Sequence, residues 1–163
     1  TIDNRVRDLI ETFTKDPVTI SIKTSRPSEN VHQDIVRYQG NHDKLDKLHD
    51  LLIKDEVAKV IVFDATQRSV ERLSRELAER GFPADAIHGG KSQGQRQRAL
   101  AKFKKNDITI LVATDVAARG IDVVDVTHVI NYSTPKEYDD YIHRIGRTGR
   151  AGQIGYAFTF VAQ

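Results

Sequence analysis

Short apolar runs that alternate with helical patterns constrain the fold of this chain more than any other feature. Residues 60–63 are continuously apolar, as in strands buried on both faces, and further strands are predicted at residues 108–112 and 129–132. Leucines at helical spacing occupy residues 45–52, and apolar residues on one helical face occupy 70–77. Strands separated by helices of ten to fifteen residues predict right-handed crossovers and a mainly parallel sheet with helices on both faces, which is an α/β fold.

The remaining pattern extends the same alternation. Further strands are predicted at residues 31–38, 86–88 and 156–161, and helices are predicted around Leu100 and Phe103 and from near Lys136 onward. The first 30 residues look like an appendage, with a helix at 6–13 and a β-like run at 17–22.

Length and composition indicate one globular domain. The 163 residues are 39% hydrophobic and 29% charged, and the net charge of +2 is too small to identify a polyanionic partner. The chain has no cysteine, no apolar run long enough for a membrane span and no signal peptide, so we expect a cytoplasmic location and no membrane partner. Because it begins at Thr1 and lacks methionine, we expect a fragment of a longer polypeptide.

Ligands of parallel α/β sheets collect beyond the carboxyl ends of the strands, so the segments that follow each strand are the places to search. One of them, Gly90-Lys91-Ser92, invites interpretation as a phosphate-binding loop. That motif needs a glycine five positions before Gly90, and Asp85 stands there. The carboxylate would repel phosphate, which argues against a nucleotide loop of the chain's own.

The segment 88–105 is strongly basic. It holds six basic residues and no acidic one, and a helix beginning near Ser92 would add free N–H donors and a positive dipole end. An anion-binding surface and a merely solvated helix face both fit this charge pattern.

Polar residues are concentrated in the segment 113–122, after a buried strand. It combines Thr114, two carboxylates and Arg119, more polarity than a connecting loop needs. A purely structural alternative is that Thr114 caps a helix and that Asp122 pairs with Arg119.

The segment 143–152 carries arginines at three-residue spacing. On a helix, Arg144, Arg147 and Arg150 would share nearly one face without a compensating acid, and a bound anion is the simplest reason for that arrangement. A surface basic patch is the alternative. Thr66, after the most apolar strand, is a plausible helix N-cap, and no His, Asp or Glu spacing indicates a metal site.

Taken in order, these segments resemble a known family. Thr66 after Val-Phe, His-Gly at 88–89, the run from Ala113 to Asp122 and above all His-Arg-Ile-Gly-Arg-Thr-Gly-Arg at 143–150 resemble the C-terminal RecA-like domain of DEAD-box RNA helicases. The resemblance implies a RecA-like three-layer sandwich at residues 31–163, with residues 1–30 as the junction from a preceding helicase domain. Gly-Lys-Ser-Gln at 90–93 is similar to bacterial members.

The resemblance implies an ATP-dependent RNA helicase whose active site is shared between two domains. Arg147 and Arg150 would act as arginine fingers on ATP, and Asp122 with Gly120 would bind the nucleotide. ATP and Mg²⁺ would be held mainly by the N-terminal RecA-like domain, so the isolated fragment is expected to be inactive and monomeric. Three further residues would couple the two domains: His143, Arg144 and Arg119.

The resemblance also implies a groove for RNA. Phosphates and sugars of one strand would be held without sequence readout by Thr66, Gly89, Gln93, Arg96 and Thr114. Ser133 departs from the family, in which Asp usually follows Asn-Tyr, and this puts the strength of interdomain coupling in question.

Two rival functions stay open at the level of sequence. A noncatalytic RNA-binding module would use both basic segments only to follow backbone phosphates. An autonomous phosphate-loop enzyme built on Gly90-Lys91-Ser92 would have to bind ATP without a second domain.

Overall fold

The computed structural model describes residues 29–119 and 121–163, and the predicted helix at 6–13, the run at 17–22 and Gly120 lie outside them. The strands of the described part are β1 (Val31–Tyr38), β2 (Val60–Phe63), β3 (Ala84–Ile87), β4 (Ile110–Ala113), β5 (His128–Asn131) and β6 (Gly155–Ala162). Its helices are α1 (Gly40–Leu52), α2 (Gln67–Glu79), α3 (Gln93–Lys104), α4 (Asp115–Ala118) and α5 (Tyr138–Ile145).

The strands form a single sheet in the order β1-β6-β5-β2-β4-β3, and every pairing in it is parallel. Phe63 at the end of β2 is level with Ala113 of β4 and Asn131 of β5, and Ile87 of β3 is level with Ala113. Four strands therefore end in one row, and the segments that follow them share one edge of the sheet.

Alternate side chains of β2 enter two different cores. Val60 and Val62 pack in a cluster with the apolar faces of α1 and α2, whereas Ile61 and Phe63 pack in a second cluster with α3 and α4. Both faces of the sheet are thus covered, and the predicted α/β sandwich with helices on both faces is confirmed.

Several predicted boundaries shift by two residues. The strand predicted at 86–88 is Ala84–Ile87, the one predicted from Ile108 begins at Ile110, and the last helix begins at Tyr138. Ile108 is buried against the second core although it precedes the ladder. Hydrophobicity at that position marks burial and does not mark strand pairing.

Within residues 29–119 and 121–163, no helix has the length and apolarity that crossing a membrane requires.

Candidate functional site

Arg147 and Arg150 lie in the turns that follow α5, so the prediction that they share a helical face with Arg144 is wrong. Helix α5 ends at Ile145. The turns still place both guanidinium groups back over the helix end, because Arg147 Nε donates to His143 O at 3.2 Å and Arg150 Nε donates to Gly146 O at 2.8 Å. Side-chain donors on the last carbonyls satisfy the helix C-terminus and fix the two arginines side by side.

Close packing fixes this turn against the sheet. Gly149 has a φ of +67°, and a Cβ there would lie 2.6 Å from Val31 Cγ2. The Thr148 hydroxyl is buried and donates to the carbonyls of Val126 and Thr127. The turn is therefore held between the start of β1 and the loop before β5.

Asp122 shares a surface with the two arginines. Arg147 Nη1 donates to Ile121 O at 3.0 Å, and Arg150 Nη1 lies 3.5 Å from Asp122 Oδ1. The Asp122 side chain is 84% exposed, so this carboxylate is a weak counterion. Burial and the neighbouring Arg150 charge lower the pKa of Arg147, and Asp122 opposes that shift. Arginine stays charged at neutral pH, so two adjacent cations can receive an anion here.

Arg144 is an internal brace of the site. Its side chain is 4% exposed and donates two hydrogen bonds to the Asp115 carboxylate, from Nε to Oδ1 at 2.6 Å and from Nη2 to Oδ2 at 2.8 Å. Nη1 donates to Ser133 O at 2.7 Å, and the group lies over the Phe63 ring. One arginine thus connects α5 to the end of β2, to the start of α4 and to the loop that follows β5.

The structural alternative for the segment 113–122 is wrong about the ion pair and is confirmed only for the position of the cap. Arg119 lies 3.9 Å from Asp140, not beside Asp122, whose partner is Arg150. Thr114 occupies the N-cap position of α4, but its side chain makes no capping hydrogen bond. His143 and Arg119 are both exposed, and His143 O accepts the bond from Arg147 in the turns at residues 146–150, here called the arginine turn.

The residues expected to contact RNA all follow the carboxyl ends of strands. Thr66 follows β2 and caps α2 through a reciprocal box with Ser69, and Thr114 follows β4. Gly89 and Gln93 flank the Ser92 cap of α3 after β3. Since those strands end in one row, the fold brings this group together along one edge.

Arg96 lies at a small cavity between α3 and the loop after α4. The cavity has a volume of about 180 Å³, and Gln93, Arg96, Arg119 and Ile121 are among its lining residues. Arg96 Nε is buried and has no hydrogen-bond partner among the described residues. The cavity thus joins a residue expected to contact RNA to one expected to couple the domains.

A carboxylate that the sequence did not single out positions Gly89. Glu71 Oε1 of α2 lies 2.7 Å from His88 Nε2 and 2.8 Å from Lys91 Nζ, on both sides of the glycine pair. Gly90 N donates to His88 Nδ1 at 3.1 Å. The hydrogen bond from Lys91 leads the interactions that lower the pKa of Glu71, against the effect of burial.

No sequence signal joins Glu71 on a helix to a histidine that follows a distant strand. Because Lys91 is already engaged by Glu71, it is poorly placed to serve as a phosphate-loop lysine. Among residues 29–119 and 121–163, no group of His, Cys, Asp and Glu is arranged to hold a metal ion.

Comparison with known families and structures identifies similar proteins. The family model described as the helicase conserved C-terminal domain matches residues 43–152. The Escherichia coli DEAD-box protein SrmB, crystallised with the regulator of ribonuclease activity A, is 40% identical, with a TM-score of 0.78 over 81% of this chain and 78% of that chain.

Two longer proteins match across the whole chain. A hypothetical ATP-dependent RNA helicase from Sulfolobus tokodaii is 33% identical with a TM-score of 0.77, covering 100% of this chain and 46% of that one. A variant of Dbp5 from Saccharomyces cerevisiae, bound to RNA and ADP BeF3, is 30% identical with a TM-score of 0.82, covering 100% and 44%. The chain therefore spans less than half of each of these two.

Proposed function

This chain belongs to the C-terminal helicase domains of the DEAD-box RNA helicases, and from that premise we propose that it is the C-terminal half of an ATP-dependent RNA helicase. An N-terminal RecA-like domain would hold ATP and Mg²⁺, and this chain would complete the site from the other side. The strongest support is the pair of guanidinium groups of Arg147 and Arg150 beside exposed Asp122.

On the ATP side, the arginine pair would stabilise charge that develops on the transferred phosphoryl group. Their Nε atoms are tied to backbone carbonyls, which orients both guanidinium groups without neutralising them. Arginine fingers in comparable enzymes contribute about 10³ to 10⁵ in rate. Asp122 would accept a hydrogen bond from the ribose, and Gly120 is a further residue expected to bind the nucleotide.

On the RNA side, the residues that follow the carboxyl ends of the β-strands, here called the strand-end site, would bind the backbone of one RNA strand. Hydroxyl, amide and guanidinium donors from Thr66, Gln93, Arg96 and Thr114, with the backbone of Gly89, suit phosphates and ribose hydroxyls and carry no base code. The Dbp5 variant similar to this chain is bound to RNA in its solved structure, which supports this assignment.

The two sides are connected inside the domain. Asp115, the partner of Arg144, directly follows Thr114, while Arg144 lies three residues before Arg147. Through this ion pair, a shift of the RNA-binding loop would be transmitted to the arginine turn. Exposed His143 and Arg119 would meet the N-terminal domain when ATP and RNA together close the cleft, and hydrolysis would reopen it.

The test joins this chain to a matching N-terminal DEAD-box domain and measures ATP hydrolysis with and without single-stranded RNA. We expect RNA-stimulated hydrolysis, reduced about 10³-fold or more by Arg150→Ala. The matched control is Arg37→Ala on β1, at the far edge of the sheet. Unchanged hydrolysis in Arg150→Ala would refute the finger assignment. RNA affinity that ATP and the N-terminal domain leave unaltered would favour the noncatalytic RNA-binding module.

A further inference from the structure

Helix α2 presents a stripe of three arginines to solvent. Arg68, Arg72 and Arg75 are spaced by four and three residues, so they lie on one helical face, and all three are exposed. At 1.5 Å per residue the stripe is about 10 Å long. Like charges at this spacing disfavour the helix by a few tenths of a kcal/mol per pair, which a bound polyanion would reverse.

The stripe keeps its positive charge because the neighbouring carboxylates either form weak ion pairs with it or are bound by other residues. Glu71 lies between the arginines in sequence, but its carboxylate is bound by Lys91 and His88. Arg72 is 68% exposed and reaches Glu76 only at 3.8 Å, a pair worth little in water. Within the described residues, Arg68 and Arg75 form no ion pair.

An open groove of about 840 Å³ runs beside the stripe. The three arginines line it together with Thr66, Glu71 and His88. Thr66 is one of the residues assigned above to the RNA backbone, so the groove continues directly from that site. The stripe itself offers guanidinium groups and no apolar anchor, which suits a phosphate backbone and does not suit an amphipathic peptide helix.

We propose that the Arg68–Arg72–Arg75 stripe binds the backbone phosphates of RNA that extends past Thr66, as an addition to the strand-end contacts. This inference rests on the proposed function, since it takes the strand at Thr66 as its starting point. The stripe would lengthen the RNA footprint of the domain without adding sequence preference.

The test joins this chain to a matching N-terminal DEAD-box domain and measures binding of fluorescein-labelled single-stranded RNA by anisotropy, with ATP present and at several salt concentrations. One RNA of about 6 nucleotides would fill only the strand-end site, and one of about 16 would also reach α2. The variant is Arg72→Ala with Arg75→Ala, and Arg37→Ala is the matched control at the opposite edge of the sheet. Unfolding in urea verifies that each variant is folded.

We expect the double variant to bind the long RNA more weakly and the short RNA as before. Loss of two phosphate contacts makes the slope of log affinity against log salt concentration less steep by about 1.4. The ratio of unaltered to variant affinity should therefore shrink about sevenfold when the salt concentration rises fourfold. Equal weakening by Arg37→Ala, or no change in the double variant, overturns the inference while leaving the strand-end site intact. If the short RNA also fails to bind the joined protein without substitutions, the RNA assignment itself fails, and the stripe assignment fails with it. A parallel titration uses labelled polyglutamate as a probe for an acidic protein. If the double variant loses polyglutamate binding and keeps its RNA binding, the groove is assigned to an acidic protein instead.

Discussion

Replacement of Arg144 by alanine is expected to be the most damaging single change near the site. Arg144→Ala removes two bonds to Asp115, one to Ser133 O and a longer one of 3.3 Å to Asn131 Oδ1. Asn131 is fully buried, so its carbonyl oxygen would lose a partner in a region where water has little access.

The magnitude follows from how much of the broken pair is desolvated. Breaking a buried ion pair by removing one partner costs about 3 to 5 kcal/mol. Asp115 retains 33% side-chain exposure, so water can partly solvate the orphaned carboxylate, and the lower end applies. We expect a loss of about 3 kcal/mol, which for a chain of this size lowers Tm by about 6 to 12 °C.

Urea unfolding followed by circular dichroism measures this loss. The control is Arg119→Ala, whose exposed guanidinium lies 3.9 Å from Asp140 and whose removal should cost less than about 0.5 kcal/mol. Because Asp115 and Arg144 share their bonds, Asp115→Ala combined with Arg144→Ala should cost less than the sum of the single changes. A loss below about 1 kcal/mol for Arg144→Ala at an unchanged m-value would refute this account of the brace.

Three further predictions concern stability. Burial lowers the pKa of His128, so as the pH falls the unfolded chain takes up this proton before the folded chain does. Below about pH 6.5 the unfolding free energy should therefore decrease, by at most about 1.4 kcal/mol per pH unit. Urea titrations at several pH values should show that His128→Phe makes this pH dependence less steep. Gly155→Ala should lower the unfolding free energy measured in urea by about 1 to 3 kcal/mol, because its Cβ would meet the Thr148 hydroxyl. The control Gly94→Ala, on α3 with open space around it, should raise the unfolding free energy by about 0.5 kcal/mol. Glu71→Ala should lower the unfolding free energy by about 1 kcal/mol, since His88 is buried and loses its partner. Thermal unfolding measures this loss, and an unchanged Tm would contradict the role of Glu71 in holding the turn that carries Gly89.

Local pattern was sufficient for the order and type of the described elements other than the short helix α4. The apolar run at 60–63 marks β2 to the residue, because a strand buried on both faces of a parallel sheet is apolar along its length. The run at 31–38 marks the bounds of β1 equally well, although β1 is an edge strand whose residues are mostly exposed. The capping role of Thr66 was also predictable, since a cap bonds within its own turn.

The site was predictable only in part. The motifs follow the strand ends, and parallel strands end at one edge, so their convergence follows from topology alone. What each arginine does was not predictable. Arg144 is buried on Asp115, whereas Arg147 and Arg150 reach the surface from turns after the helix has ended.

The amino-acid sequence by itself determined the α/β alternation, the cap of α2 and the family motifs, because these depend on periodicity and on contacts within a few residues. Only the tertiary structure decided that Glu71 holds the turn carrying Gly89 and that Asp122 lies beside Arg150. A charged side chain can pair with any opposite charge that the fold brings within about 4 Å, and packing of distant segments selects which one it meets.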